Sequence, residues 1–309
     1  SAASVEASAA SAPHPSAERV AEEPWRAEMT REIGPPSGSI SIGELTGRFA
    51  FASTRKGPHT VFTQEFVPGS EPRRVLYGFE PAWSPDGSSI AFTGSYLETG
   101  DEIAVMSPEG TNVRQLTSAD GQDRGATWSP DGRRIAFWSE RDGGEREIYV
   151  VDLEGSPPKR LTMDTFTDMW PSWSPAGNEI VYETYREDGA ALFAVSPFGG
   201  TPRRVTPVGL DARDPEWSPD GFQIAFVSST DAGWALAVIA PDGSGVRKVA
   251  EAKGIRNPAW SPDGRFIMFA CTTPDSPNED ICVVDVAGQR LANLTNDGGG
   301  FDWGPSWTR

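Results

Sequence analysis

One five-residue word recurs along the chain at nearly constant intervals. The word Trp-Ser-Pro-Asp-Gly, with one copy that carries Ala for Asp and a truncated last copy, begins at Trp83, Trp128, Trp173, Trp217, Trp260 and Trp307. Successive tryptophans are 45, 45, 44, 43 and 47 residues apart. A repeat with a period of roughly 20 to 50 residues is typical of stacked structural units, so the structure of one unit predicts most of the molecule.

Each unit contains four short strand-forming runs. The unit that begins at Trp128 continues with Ile135-Ala136-Phe137, then Ile148-Tyr149-Val150, then Arg160-Leu161-Thr162. Short apolar runs separated by Gly, Pro and Asp predict antiparallel strands, which we name a (the strand with the Trp), b, c and d. In the turn between strands a and b, Pro fixes φ and Gly accepts the left-handed conformation that closes a hairpin.

Units of this length with four antiparallel strands are the blades of a β-propeller. The sequence contains six strands of each type, but the strand a that belongs to the first b, c and d strands is found only at the C-terminus, around Trp307. We therefore predict an all-β, six-bladed propeller over residues 38–309. Its ring should be closed by the C-terminal strand, which pairs near Phe49. The 33 Gly and 27 Pro agree with a turn-rich β protein.

Residues 1–37 are small, polar and proline-containing, and they begin with Ser rather than Met. Such a segment buries too little apolar area to fold alone, so we predict an extended tether left by signal-peptide removal. This interpretation places the protein in the periplasm or another exported location. A short helix anchored by Trp25 and Ile33 is expected near its end. Trp25 is either a contact for a partner or part of a plain linker.

The pattern P-x-W-S-P-D-G-x-x-I-A-F, then I-Y-V-x-D, then R-L-T, is fullest at residues 128–162 and resembles the TolB-like β-propeller repeat. The resemblance covers about residues 40–309. It implies a propeller in a bacterial envelope context, where a periplasmic member of the family binds a lipoprotein across one propeller face. We expect neither the α/β domain of such members nor the hydrolase domain of related peptidases, since residues 1–37 are too few and no G-x-S-x-G word occurs.

Composition excludes several classes of function. The formal net charge of −17 disfavours nucleic acid and anionic lipid as partners, and no apolar run approaches the roughly 18 residues of a membrane-spanning helix. Only His14 and His59 are available for acid–base chemistry, so no enzyme, cofactor or metal site is predicted. Calcium at the acidic loop 119–123 is possible but disfavoured, because the loop lacks a spaced set of ligands.

Strand polarity separates two propeller faces. The a–b turns and c–d links lie on one face, which we call the turn face, and the b–c and d–a loops lie on the other, which we call the loop face. The loop face combines aromatic and arginine side chains typical of protein interfaces. The predicted contacts are Phe79, Asp123, Arg124, Phe166, Trp170, Arg213, Asp214, Trp234, Arg256, Asn257, Phe301 and Trp303. Alternatively, about half of these aromatic side chains cover loop backbone.

The sequence thus predicts a non-enzymatic, exported, protein-binding propeller that serves as a scaffold or adaptor, or as an extrinsic subunit of a membrane-associated envelope complex. Trp170 and Trp303 are taken to precede their a strands by the same small step, so we expect both near the mouth of the central channel. The alternative is a carbohydrate-binding or hydrolytic propeller that uses the channel mouth. Cys271 and Cys282 lie on neighbouring strands and are either a disulfide or two small buried hydrophobic residues.

Overall fold

A computed structural model describes residues 23–97, 100–273, 278–296 and 300–308 of the chain. The described part contains helix α1 (Pro24–Thr30), a 3₁₀ turn at Ile42–Glu44 and 24 strands. In chain order the strands are β1 (Arg48–Ser53), β2 (Thr60–Glu65), β3 (Arg73–Tyr77), β4 (Phe79–Trp83), β5 (Ile90–Leu97), β6 (Gly100–Met106), β7 (Arg114–Gln115), β8 (Asp123–Trp128), β9 (Arg134–Ser139), β10 (Glu147–Asp152), β11 (Lys159–Arg160), β12 (Asp168–Trp173), β13 (Ile180–Arg186), β14 (Gly189–Val195), β15 (Arg203–Arg204), β16 (Arg213–Trp217), β17 (Ile224–Thr230), β18 (Gly233–Ile239), β19 (Arg247–Ala252), β20 (Ile255–Trp260), β21 (Phe266–Thr272), β22 (Glu279–Asp285), β23 (Leu291–Asn293) and β24 (Asp302–Thr308).

These strands form six antiparallel sheets of four strands each, which confirms the predicted six-bladed propeller. Blades 2 to 6 each use four consecutive strands, from β4–β7 in blade 2 to β20–β23 in blade 6. Blade 1 is assembled from both ends of the sequence, in the order β24-β1-β2-β3. Trp307 lies opposite Phe49 in this sheet, so the predicted closure of the ring by the last strand is also confirmed.

The repeated tryptophans pack between neighbouring blades. In the five complete copies of the word, each Trp side chain is buried. The indole N–H of Trp128 donates to the carbonyl of Ala82 in the preceding blade at 3.0 Å, and that of Trp260 donates to Glu216 in the same way. Each of these tryptophans therefore stabilises a blade interface, which is why every unit needs one.

The a–b turn of blade 3 shows why its sequence is repeated. Gly132 has a φ of 67°, and Asp131 accepts hydrogen bonds from the Ser129 hydroxyl and the Arg133 backbone N–H. Blade 4 carries Ala176 in place of the Asp, and there the side chain of Asn178 contacts the Ser174 hydroxyl instead. The turn face is thus built from short turns that satisfy their own polar groups.

The segment before the propeller contains the expected short helix. Met29 of α1 is buried and Trp25 is half-buried, and both pack on the apolar seam between blades 4 and 5. The anchors are therefore Trp25 and Met29 rather than Trp25 and Ile33. Farther along, the backbone N–H of Ser37 donates to the carbonyl of Gln289 in blade 6 at 2.8 Å. Residues 1–22 of the predicted tether lie outside the described part of the chain.

The two cysteines are joined across strands β21 and β22. Cys271 lies opposite Asp280 and Cys282 opposite Phe269, so the cysteines occupy diagonal positions on one face of the sheet. Their Cα atoms are 5.9 Å apart and their sulfur atoms form a disulfide. This separation is within the usual range for a disulfide-bonded pair.

Candidate functional site

The innermost strand of every blade bulges three residues before its Trp. Pairing with strand b shifts register at this point in each sheet, and the residue there has a positive φ, between 49° and 67°. We call these six residues the mouth ring; in blade order they are Gly304, Glu80, Gly125, Trp170, Asp214 and Asn257. A proline follows in five blades, which the strand tolerates because it is the inner edge of its sheet.

Two members of the mouth ring have strained backbones. Gly, Asn and Asp adopt the left-handed conformation readily, but Trp and Glu do not. Trp170 has a φ of 51°, and its indole ring lies over Gly125 of blade 3, where an added Cβ would come within 3.2 Å of that ring. Bulky residues kept in a strained conformation concentrate at functional sites, so Trp170 is a candidate contact residue.

The strain predicts an unusual order of stability at position 170. In an ordinary strand Gly is less stable than Ala by about 0.5–1 kcal/mol, whereas a left-handed conformation costs Ala about 1–2 kcal/mol. We expect Trp170→Gly to be at least as stable as Trp170→Ala, by up to about 1 kcal/mol, in urea unfolding. An Ala variant that is clearly more stable than the Gly variant would show that the backbone is not strained there.

A cavity of about 440 Å³ opens at the loop-face end of the channel; we call it the mouth cavity. It brings together seven of the predicted contact residues: Trp170, Arg213, Asp214, Trp234, Arg256, Asn257 and Trp303. Carboxylates of Glu80, Glu183 and Glu279 and the ring of Tyr185 complete the polar and aromatic part of its lining.

Both arginines of the mouth cavity are held by their own chain. The Arg213 guanidinium lies 5.2 Å from the centre of the Trp234 ring and pairs with Asp211 at 3.2 Å. Arg256 forms an ion pair with Glu279. These pairs hold the arginines at the rim, where the positive charges of both also act on Asp214.

The remaining carboxylates join one blade to the next. Glu80 accepts the backbone N–H of Gly125 at 3.0 Å, Asp214 accepts that of Asn257 at 3.0 Å, and Glu183 accepts that of Asp214 at 3.0 Å. Burial raises the pKa of all three carboxyls above the usual range, and the charge of Asp214 adds to the shift at Glu183. The channel mouth therefore holds more acidic than basic groups, and these are only partly accessible to water.

Two predicted contact residues are buried and need correction. Phe79 is packed between Arg124 and His59, and Asp123 is 2% exposed and paired with Arg141. Their positions, four and five residues before Trp83 and Trp128, place them under the loops rather than on the surface. A partner cannot contact them without rearrangement.

The other predicted residues lie around the rim. Arg124 pairs with Asp101, and Phe301 is exposed. Phe166 is half-buried, with the Arg186 guanidinium 4.0 Å from the centre of its ring. Trp303 lies four residues before Trp307, whereas Trp170 lies three residues before Trp173, so only Trp170 belongs to the mouth ring. Trp303 nevertheless lines the same cavity.

Sequence reasoning overlooked Glu80, Glu183, Glu216 and Glu279. Alignment of the six units on their tryptophans would have identified Glu80, because it occupies the same position as Trp170 and Asp214. Glu216 lies deeper in the channel, where burial raises its pKa to about 7. No sequence signal indicates Glu183, whose carboxylate binds the neighbouring blade, or Glu279, which pairs with Arg256 across its own blade.

Neither a metal-binding cluster nor a membrane-spanning helix is found among the residues that the structure describes. Within residues 23–97, 100–273, 278–296 and 300–308, no group of three or more His, Cys, Asp or Glu side chains is arranged to hold a metal ion. Among the same residues, no helix has the length and apolar character needed to cross a bilayer. At the acidic loop considered for calcium, the Asp123 carboxylate binds Arg141.

Within the described part of the chain, the buried Asp168 of blade 4 lacks the ion pair that its counterparts in blades 1 and 3 have. Asp123 and Asp302, each five residues before a Trp, pair with Arg141 and Arg55, respectively. Asp168 occupies the same position, but the corresponding Arg186 pairs with Asp164 at 2.9 Å. Burial raises the pKa of Asp168 to about 7.

This arrangement predicts a pH-dependent stability. Between about pH 4 and 7 the native state retains a proton on Asp168 that the unfolded chain has released, so the free energy of unfolding falls as the pH rises through this window. From pH 5 to pH 8, Asp168→Asn should gain about 2 kcal/mol of stability relative to the parent protein. Asp131→Asn, whose carboxyl pKa is lowered by the Ser129 hydroxyl, is the control and should show no such change. If the free energy of unfolding changes with pH by the same amount in the parent protein and in Asp168→Asn, the raised pKa of Asp168 is wrong.

Comparisons with known proteins give a family and a fold. A family model described as TolB beta propeller domain matches residues 47–146 and 142–309. No curated protein sequence shows significant similarity to the chain.

Three solved structures illustrate the likeness of fold. TolB from Acinetobacter baumannii is 23% identical with a TM-score of 0.76, and the match covers 84% of this chain and 66% of that one. A putative TolB from Agrobacterium tumefaciens is 20% identical with a TM-score of 0.64, covering 84% and 98% of the two chains. A puromycin-hydrolyzing peptidase from Mycobacterium tuberculosis is 16% identical with a TM-score of 0.54, covering 85% and 56%. At these identities the likeness extends to the fold alone.

Proposed function

The chain belongs to the TolB β-propeller family, and on that premise we propose that it is a non-enzymatic, exported propeller that binds a protein partner through its loop face. It serves as an adaptor, or as an extrinsic subunit of a membrane-associated envelope complex. In this proposal residues 38–309 are the binding domain, residues 1–37 are the segment before it, and Trp25 adds a contact at the rim.

The observation that carries this proposal is the mouth cavity. Its lining places three tryptophans and a tyrosine among charged groups that are held by ion pairs and hydrogen bonds. Trp170 occupies its position with a strained backbone. Aromatic side chains beside desolvated charged groups are typical of interface hot spots. The turn face is built from near-identical polar turns, so it provides little that distinguishes one partner from another.

Copurification tests the proposal. The tagged chain is expressed in its source organism and purified from gently solubilised envelopes. We expect a protein partner at a near-stoichiometric ratio. A monomer that copurifies with no protein, and that instead binds glycans on an array or hydrolyses a peptide or glycoside substrate, would favour the carbohydrate-binding or hydrolytic alternative at the same cavity.

A further inference from the structure

Two acidic residues of the mouth ring belong to blades on opposite sides of the channel. Glu80 belongs to blade 2 and Asp214 to blade 5, and blades three apart in a ring of six lie on opposite sides. Both residues occupy the same position relative to their Trp, so they lie at the same depth. Both line the mouth cavity.

Each of these carboxylates has only one of its oxygens engaged. Glu80 Oε2 accepts from Gly125 and from the Thr93 hydroxyl, and Asp214 Oδ2 accepts from Asn257. Among the residues that the structure describes, none donates a hydrogen bond to Glu80 Oε1 or Asp214 Oδ1. The neighbouring arginines already pair with Asp211 and Glu279, so these two oxygens remain as hydrogen-bond acceptors at the mouth cavity.

We infer that the channel mouth receives a cationic side chain of the protein partner, an arginine or a lysine, seated between the carboxylates of Glu80 and Asp214. This inference rests on the proposed function and specifies the chemistry of the partner. A protruding side chain has the length to enter the channel, and its charged group meets one carboxylate on either side. Trp170, Trp234 and Trp303 line the same cavity, so they can contact its apolar stem and the face of a guanidinium.

The geometry favours a side chain over a metal ion. The two carboxylates are on opposite sides of the channel, and in the described part of the chain no third ligand joins them to form a metal-binding group. A volume of about 440 Å³ is within the usual range for sites that take organic groups. A guanidinium donates several hydrogen bonds in different directions, which matches acceptors that approach from opposite sides.

The test uses N-acetyl-arginine methylamide and its neutral isostere N-acetyl-citrulline methylamide, each titrated into the whole protein and followed by NMR. We expect the arginine derivative to bind at least tenfold more tightly than the citrulline derivative. Glu80→Gln with Asp214→Asn should weaken arginine binding at least tenfold, while the amide oxygens can still accept the inter-blade hydrogen bonds. Asp220→Asn on the turn face is the control for a change in net charge and should bind as the parent does.

Equal binding of the two derivatives, no binding of the arginine derivative, or undiminished binding to the double variant would overturn the inference. Copurification distinguishes failure of this inference from failure of the proposed function. If a partner copurifies and depends on the loop face while the arginine derivative does not bind, only the cationic side chain is wrong. If no partner copurifies, the proposed function fails, and the assignment of the cation to a partner protein fails with it.

Discussion

Removal of residues 301–309 should lower the free energy of unfolding by several kcal/mol, a large share of the roughly 5–15 kcal/mol typical of a folded domain. The deletion removes the innermost strand of blade 1 and leaves β1 as an open edge. It also removes Asp302, the partner of the nearly buried Arg55, and the Ser306 hydroxyl that accepts the Trp83 backbone N–H at 2.9 Å. Loss of the carboxylate that pairs with a nearly buried guanidinium and opening of the ring both destabilise the native state.

Thermal unfolding of the deletion variant measures this effect. Phe301→Ala is the matched control within the same segment, because this side chain is exposed and its truncation should change stability by no more than about 0.5 kcal/mol. An unchanged melting temperature for the deletion variant would show that the propeller does not depend on closure by its last strand.

Trp170→Ala or Trp303→Ala should weaken partner binding at least tenfold and leave the fold intact. Both side chains line the mouth cavity, and truncation of a buried interfacial Trp commonly costs about 2 kcal/mol or more. Binding is measured with the copurified partner, and the fold is checked by circular dichroism. Trp170→Gly provides a second variant that removes the indole and also removes the strain of the left-handed backbone conformation.

Substitutions on the opposite face are the control for this prediction. Asp131→Ala and Asp220→Ala remove carboxylates that stabilise a–b turns, so they should lower stability without changing affinity. Release of the partner by the turn-face variants, or complete loss of binding on removal of residues 1–37 alone, would mean that another surface binds the partner.

The fold could be predicted from sequence because it is repeated six times. A Trp, a Pro-Asp-Gly turn and an apolar triplet recur in register, so an error in one unit would be exposed by the others. Closure of the ring followed from counting strands, since Trp307 had no b strand of its own. The disulfide could not be decided from sequence, because its formation depends on the diagonal register of β21 and β22.

The site was harder to predict because its residues come from different units. Glu80 and Asp214 come to line the same channel only when the ring of blades is closed. Asp123 and Phe79 follow sequences that resemble surface loops, yet Arg141 of the same blade pairs with Asp123 and Arg124 of the next blade covers Phe79. Trp170 lies three residues before the repeated Trp of its blade and Trp303 lies four before its own. This difference of one residue puts Trp170, and not Trp303, at the strained position of the mouth ring.

Photo-crosslinking from the two faces tests the central claim most directly. A benzophenone amino acid replaces either Tyr185, an exposed residue of the mouth cavity, or Phe222, an exposed residue of a turn on the opposite face. Cells of the source organism are irradiated, and the crosslinked products are identified by mass spectrometry. A protein partner crosslinked from position 185 and not from position 222 is the predicted result; a partner crosslinked only from position 222 would contradict binding through the loop face.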